Sequence, residues 1–157
     1  RTLTNGTVFG AAFTPQEAFT LSNFQMYAST GGTDVGGTTV RRMGLFTLSG
    51  STATLVARTD SDATLFTTSN TIYTRALSTT GGYPSSYSLV SGTTYMFGVI
   101  AYNTGGTFNI PTVAAGSNVT QTFTPAICLG LTSQTDLPTT ATAFATVTNA
   151  VVHARLT

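Results

Sequence analysis

The side chains of this chain that could serve as a general acid or base are few. They are one histidine, His153, one glutamate, Glu17, and four aspartates, Asp34, Asp60, Asp62 and Asp136. Hydroxyls are plentiful, but a hydroxyl needs a base beside it to become a nucleophile. No G-x-S-x-G elbow, phosphate loop, H-E-x-x-H or C-x-x-C pair is present. A Ser-His-Asp triad converges in space rather than in sequence. Yet His153 stands in no motif, and its plain reading is a surface or edge-strand histidine. The expectation is that the chain is not an enzyme and has no catalytic residue.

Asp60-Ser61-Asp62 places two carboxylates within one turn. Clustered carboxylates and carbonyls suit a hard cation such as Ca2+, with Asp34 or Asp136 joining them. The commoner reading is a turn that follows a strand. Ca2+ is the one cofactor the sequence raises, and the default is none. A glycoside-hydrolase pair needs two carboxylates facing each other across a cleft. Five acids and no tryptophan for a sugar platform speak against it. The lone Cys128 allows no internal disulfide. Between Ile127 and Leu129 it reads as a buried, inert thiol.

Contact chemistry is better supplied. Tyr83 and Tyr87 flank Pro84-Ser85-Ser86, and Tyr102 and Phe108 flank Asn103-Thr104-Gly105-Gly106-Thr107. A rigid ring with adaptable Ser, Gly and Asn neighbours suits recognition of a glycan or a protein. The competing reading is that these rings cap the ends of a sandwich. Asn5-Gly6-Thr7 and Asn118-Val119-Thr120 match glycosylation sequons, which a threonine-rich chain produces by chance.

The elements that must position these residues are strands. Glycine turns stand at Asn5-Gly6, Gly31-Gly32, Gly36-Gly37, Ser49-Gly50, Gly81-Gly82, Ser91-Gly92 and Gly105-Gly106. Short runs of Thr, Val, Phe and Tyr lie between them, as in a sandwich or barrel. The clearest hairpin runs from Val40 to Arg58. In its second arm Ala53, Leu55 and Ala57 are expected on one face, with Thr54, Val56 and Arg58 on the other. The strongest strand is Thr93–Tyr102. Tyr95, Phe97, Val99 and Ala101 face one way, and Met96, Gly98, Ile100 and Tyr102 the other. Both sets are largely apolar, which predicts a central strand covered on both sides. Further strands are expected at Leu3–Phe13, Ala18–Ala28, Thr71–Leu77, Thr120–Leu129 and Ala143–Leu156. Pro125 would put a bulge or an edge in Thr120–Leu129. Ser61–Leu77 is the only helix candidate, and its threonines limit it to at most one turn.

Composition agrees. The chain has 157 residues, 36 of them Thr and 13 Ser, and only 7% are charged against a usual ~25%. Threonine suits a pleated surface while offering water a hydroxyl. All six cations are arginine, which is expected either from a GC-rich genome or from a surface selected against strongly hydrated charges. A net charge of +1 gives no case for nucleic acid, and no apolar run reaches membrane-spanning length. So weakly charged a surface tends to self-associate, which favours a subunit of an assembly. One domain, residues 1–157, is expected. A chain that opens on Arg1 is expected to be a processed product or a fragment.

Three segments carry a likeness. Arg42-Met43-Gly44-Leu45-Phe46 is followed by Leu55-Val56-Ala57. Next comes Tyr87-Ser88-Leu89-Val90-Ser91-Gly92-Thr93-Thr94-Tyr95, and then Thr135-Asp136-Leu137-Pro138 before a closing strand. This order resembles the β-sandwich modules of tailed-phage virion proteins, especially phages of actinobacterial hosts. The resemblance implies an antiparallel β-sandwich of the carbohydrate-binding jelly-roll kind on the virion surface. It implies a minor-tail or tail-fibre domain that attaches to a host cell-wall glycan or surface protein. The alternative is a capsid decoration or assembly protein without a host ligand. Either would pack against other virion proteins, as a homotrimer.

Overall fold

The threonine-rich runs between the glycine turns pair as antiparallel strands in the computed structural model of the chain. Residues 1–109, 111–113, 115–117, 128–142, 144–146, 150–152 and 154–157 are described. In chain order the strands are β1 (Thr7–Phe13), β2 (Phe19–Leu21), β3 (Asn23–Thr30), β4 (Thr38–Ser49) and β5 (Thr52–Arg58). They continue with β6 (Thr71–Ala76), β7 (Tyr87–Leu89), β8 (Tyr95–Thr104), β9 (Thr112–Val113) and β10 (Ala115–Ser117). The last are β11 (Cys128–Leu131), β12 (Thr140–Ala141), β13 (Ala145–Thr146), β14 (Ala150–Val152) and β15 (Arg155–Leu156).

The larger sheet has seven strands in the order β12-β5-β4-β8-β1-β11-β13. The second sheet places β3 between β6 on one side and β15 and β9 on the other. Two short pairs, β2-β7 and β10-β14, complete the set. This is the all-β, antiparallel sandwich-like fold that the turn spacing predicts. The core between the two sheets holds Phe24, Met26 and Tyr73 from the smaller one and Met43, Leu45, Phe97 and Val99 from the larger. Phe24 meets Phe97 edge to face at 5.4 Å, a geometry worth about 0.5–1.5 kcal/mol beyond its buried area.

A second core lies on the opposite face of the larger sheet. It is built from Val8, Phe46, Leu55, Met96, Ile100, Leu129 and Leu137. β8 is therefore covered on both sides, with the two residue sets divided as the alternation predicts. The larger sheet curls into a half-barrel, with this second core on one of its faces. Its curl is helped by three glycines in one cross-strand row. Gly10 pairs with Gly98, and Gly98 with Gly44. A Cβ on Gly44 would lie 2.6 Å from a Leu137 methyl carbon, and one on Gly98 would lie 2.9 Å from the Phe46 ring. The core side chains occupy the room that the row leaves.

Two expectations change. The second arm of the hairpin does not alternate throughout. Leu45 pairs with Ala57 but Phe46 pairs with Leu55, so a bulge at Val56 shifts the register by one residue. Ala57 thereby joins the core between the sheets, while Ala53 and Leu55 join the half-barrel core. Ser61–Leu77 holds no more than the single turn expected of it, Ala63–Phe66, and then the expected strand as β6, Thr71–Ala76. Ala143–Leu156 is not one strand, because β13, β14 and β15 each pair in a different sheet. Pro125, His153 and the Cys128 side chain lie outside the described residues.

Candidate functional site

Arg42 and Arg58 come together at one end of the half-barrel. Arg42 lies opposite Ile100 on β4, on the face of the sheet that carries the second core. Arg58 lies opposite Gly44 on the same face, because the bulge at Val56 has reversed the alternation before it. The two guanidiniums reach one carboxylate. Arg42 Nε is 3.0 Å from Asp136 Oδ1, and Arg58 Nη1 is 3.7 Å from Asp136 Oδ2. Both arginine side chains are 14% exposed and Asp136 is 36% exposed.

Arg58 also anchors a loop. Its Nη2 donates to the Thr80 carbonyl at 3.2 Å, and its guanidinium lies over the Tyr83 ring, 4.8 Å from the centroid. Asp60 secures the root of the same loop by accepting from Ser78 Oγ at 2.5 Å. Hydrogen bonds from Ser78 and Thr80 hold the Asp60 carboxyl below its ordinary value, and Arg42 and Arg58 add to this. Burial pushes the Arg42 guanidinium below its ordinary value. Asp136 opposes that shift, and Arg58 reinforces it. From Thr79 to Ser86 every residue except Tyr83 is exposed. A hydroxyl-rich loop is thus held on a rigid sheet by a charged anchor.

Of the four aromatics singled out in the sequence, Tyr83 and Tyr102 pack against the half-barrel core. Tyr87 and Phe108 pack against the core between the sheets. Tyr87 belongs to β7 and Tyr102 to β8, so neither is a loop residue. Tyr87 stacks edge to face on Tyr95 at 6.2 Å, and burial raises its phenol above the ordinary value. All four are half-buried, and they form no single aromatic platform.

Asp60 and Asp62 are taken by protein donors. Asp62 Oδ1 accepts from the Thr64 N–H and hydroxyl at 2.7 and 2.6 Å, and Oδ2 accepts from Arg75 Nε at 2.6 Å. Among the described residues, no three His, Cys, Asp or Glu side chains gather as a metal site would require. Asp34 is buried against Arg41 at 2.8 Å, with side-chain exposures of 2% and 0%. Arg41 also donates to the Leu65 carbonyl at 2.8 Å, and Asp34 accepts from the Asn109 N–H at 2.9 Å. That pair ties three loops together at the edge of the core.

The arginine pair escaped the sequence because simple alternation places Arg58 on the wrong face. A bulge has no sequence mark here that separates Val56 from any other strand valine. No protein-family model matches the chain, and neither does any curated protein or solved structure.

Proposed function

We propose that the chain is a virion-surface module of a tailed phage, a tail-fibre or minor-tail domain that attaches the particle to its host's envelope. The observation that carries the reading is the exposed 79–86 loop, rooted on Arg58 and Asp60. Its Pro84, Ser85 and Ser86 are presented to solvent on a loop whose first residues are tied down by Arg58 and Asp60, which lowers the entropy lost on binding. The motif order, which resembles that of phage β-sandwich modules, is what suggests a phage particle. The rigid sheet and polar loop supply a surface for a cell-wall glycan or an envelope protein.

The test is retention of the purified chain on actinobacterial cell envelopes. Retention that falls when Pro84, Ser85 and Ser86 are replaced by a short glycine linker supports the reading. No retention of the intact chain overturns it.

A second reading, a decoration or assembly subunit, has its own support. Tyr27 and Ile72 are cross-strand partners on the outer face of the smaller sheet and are 38% and 67% exposed. Around them stand Gln25, Thr74 and Ala76, and the exposed Arg155, opposite Gln25, is the charge that the described pairing places on this face. In this reading the face packs on other virion proteins or on its own copies in a homotrimer. Light scattering checks the trimer: Ile72→Glu should dissociate it, and a parent monomer at micromolar concentration removes it.

A further inference from the structure

The two guanidiniums at the end of the half-barrel carry more donors than the protein uses. Arg42 Nε, Arg42 Nη1 and Arg58 Nε are all buried without an acceptor. Arg42 Nε approaches Asp136, but its N–H is not aimed at the carboxylate and forms no hydrogen bond. Asp136 Oδ1 already accepts from the Leu137 N–H at 2.7 Å. One carboxylate therefore serves two like charges and satisfies neither well. Buried charged donors without partners are costly, so the arrangement favours any further acceptor. A guanidinium fork matches the oxygens of a carboxylate or a phosphate.

We propose that Arg42 and Arg58 form a binding site for a ligand oxyanion, a carboxylate or phosphate group, for which Asp136 stands in while the ligand is absent. Asp136 is the most exposed member of the cluster and sits on the β11–β12 connection, so it is the group able to swing away. Its departure opens the sides of both guanidiniums that it covers. The ring of Tyr83 backs Arg58, and the Pro84-Ser85-Ser86 tip lies on the loop that Arg58 anchors. A polymer bearing acidic groups would lay an oxyanion on the arginines and its neighbouring hydroxyls along this loop. The polymer as source rests on the envelope-attachment reading; the oxyanion site does not.

The test is a titration of the folded chain with inorganic phosphate and, separately, methyl glucuronide at constant ionic strength. The arginine Nε–H signals of Arg42 and Arg58 are followed by NMR. Both signals should shift and saturate. Saturation with phosphate alone assigns a phosphate group, and saturation with the glucuronide alone assigns a carboxylate. Asp136→Asn removes the competing charge and should tighten binding about tenfold. Arg58→Lys keeps the charge but loses the fork and should weaken binding severalfold; Arg42→Gln should abolish saturation. A drift that does not saturate in either the parent or Asp136→Asn overturns the site. Binding by Asp136→Asn no tighter than the parent's overturns the stand-in role and the proposal with it. Saturable anion binding without retention on envelopes removes the attachment reading and leaves the site standing.

Discussion

Arg42 and Arg58 converge on Asp136 because the pairing of β4 with β5 slips by one residue between Leu45 and Phe46. Without the slip, Arg58 would share the face of Thr54, turned toward the core between the sheets. The bulge re-aims it to the half-barrel side, where it meets Arg42, Asp136 and Tyr83. One extra residue in a strand therefore builds the charged cluster and anchors the 79–86 loop.

Arg58→Ala should release that loop. It removes the bond to the Thr80 carbonyl and the contact with the Tyr83 ring, while Asp60 still holds Ser78. Limited proteolysis should cut between Thr79 and Tyr87 faster than in the parent, with the other cleavage sites unchanged. Equal rates would mean that the loop is held without Arg58, by Asp60 and its own backbone.

Gly44→Ala tests the glycine row. The added methyl carbon would sit 2.6 Å from a Leu137 methyl and 2.9 Å from one of Leu55. Overpacking of this kind costs about 1–3 kcal/mol, read as a lower urea midpoint. The cost should shrink in a Leu137→Ala background, because the space has been cleared. An equal cost in both backgrounds would place the strain elsewhere.

Asp34→Ala leaves Arg41 charged and fully buried with only carbonyl partners. Breaking a buried pair from one side costs about 3–5 kcal/mol. Replacing both residues with Asp34→Leu and Arg41→Met should cost less than Asp34→Ala alone. A double variant worse than the single one would show that the pair is intrinsically stabilising.

Asp62 sets part of the acid limit. Burial pushes its carboxyl up, but hydrogen bonds from Thr64 and Arg75 outweigh it and hold the group below its ordinary 3.8. The unfolded chain then binds more protons in the window between the two values, so stability rises with pH there. The contribution is complete above about pH 4–5 and is lost as pH falls through the folded value. Asp62→Asn should flatten the fall of Tm below pH ~4. Some slope should remain, since Asp60 is also held low by Ser78 and Thr80. An unchanged profile would show that Asp62 titrates normally.

Much of the architecture is written locally. Threonine, valine and aromatic runs between glycine turns specify strands because each residue's own sterics favour the pleat. The alternation of Tyr95–Tyr102 specifies a strand buried on both faces, since successive side chains point to opposite sides wherever the strand is placed. The Ser49-Gly50 turn joins β4 and β5 where expected, with Gly50 at φ +58°. A lone apolar alternation at the end of the chain was misleading. β13, β14 and β15 pair in three different sheets, and period two says nothing about which partner each step will find.

What the sequence determined by itself is therefore the material: an all-β chain, its central strand, and a supply of hydroxyls with few charges. What only the tertiary structure decided is which side chains meet. Gly10, Gly98 and Gly44 become one row only when β1, β8 and β4 lie in register. Arg58 becomes the neighbour of Arg42 only when Val56 bulges. Both depend on pairing between strands far apart in the chain, which is fixed by packing across the sheets and not by the preferences of any one segment.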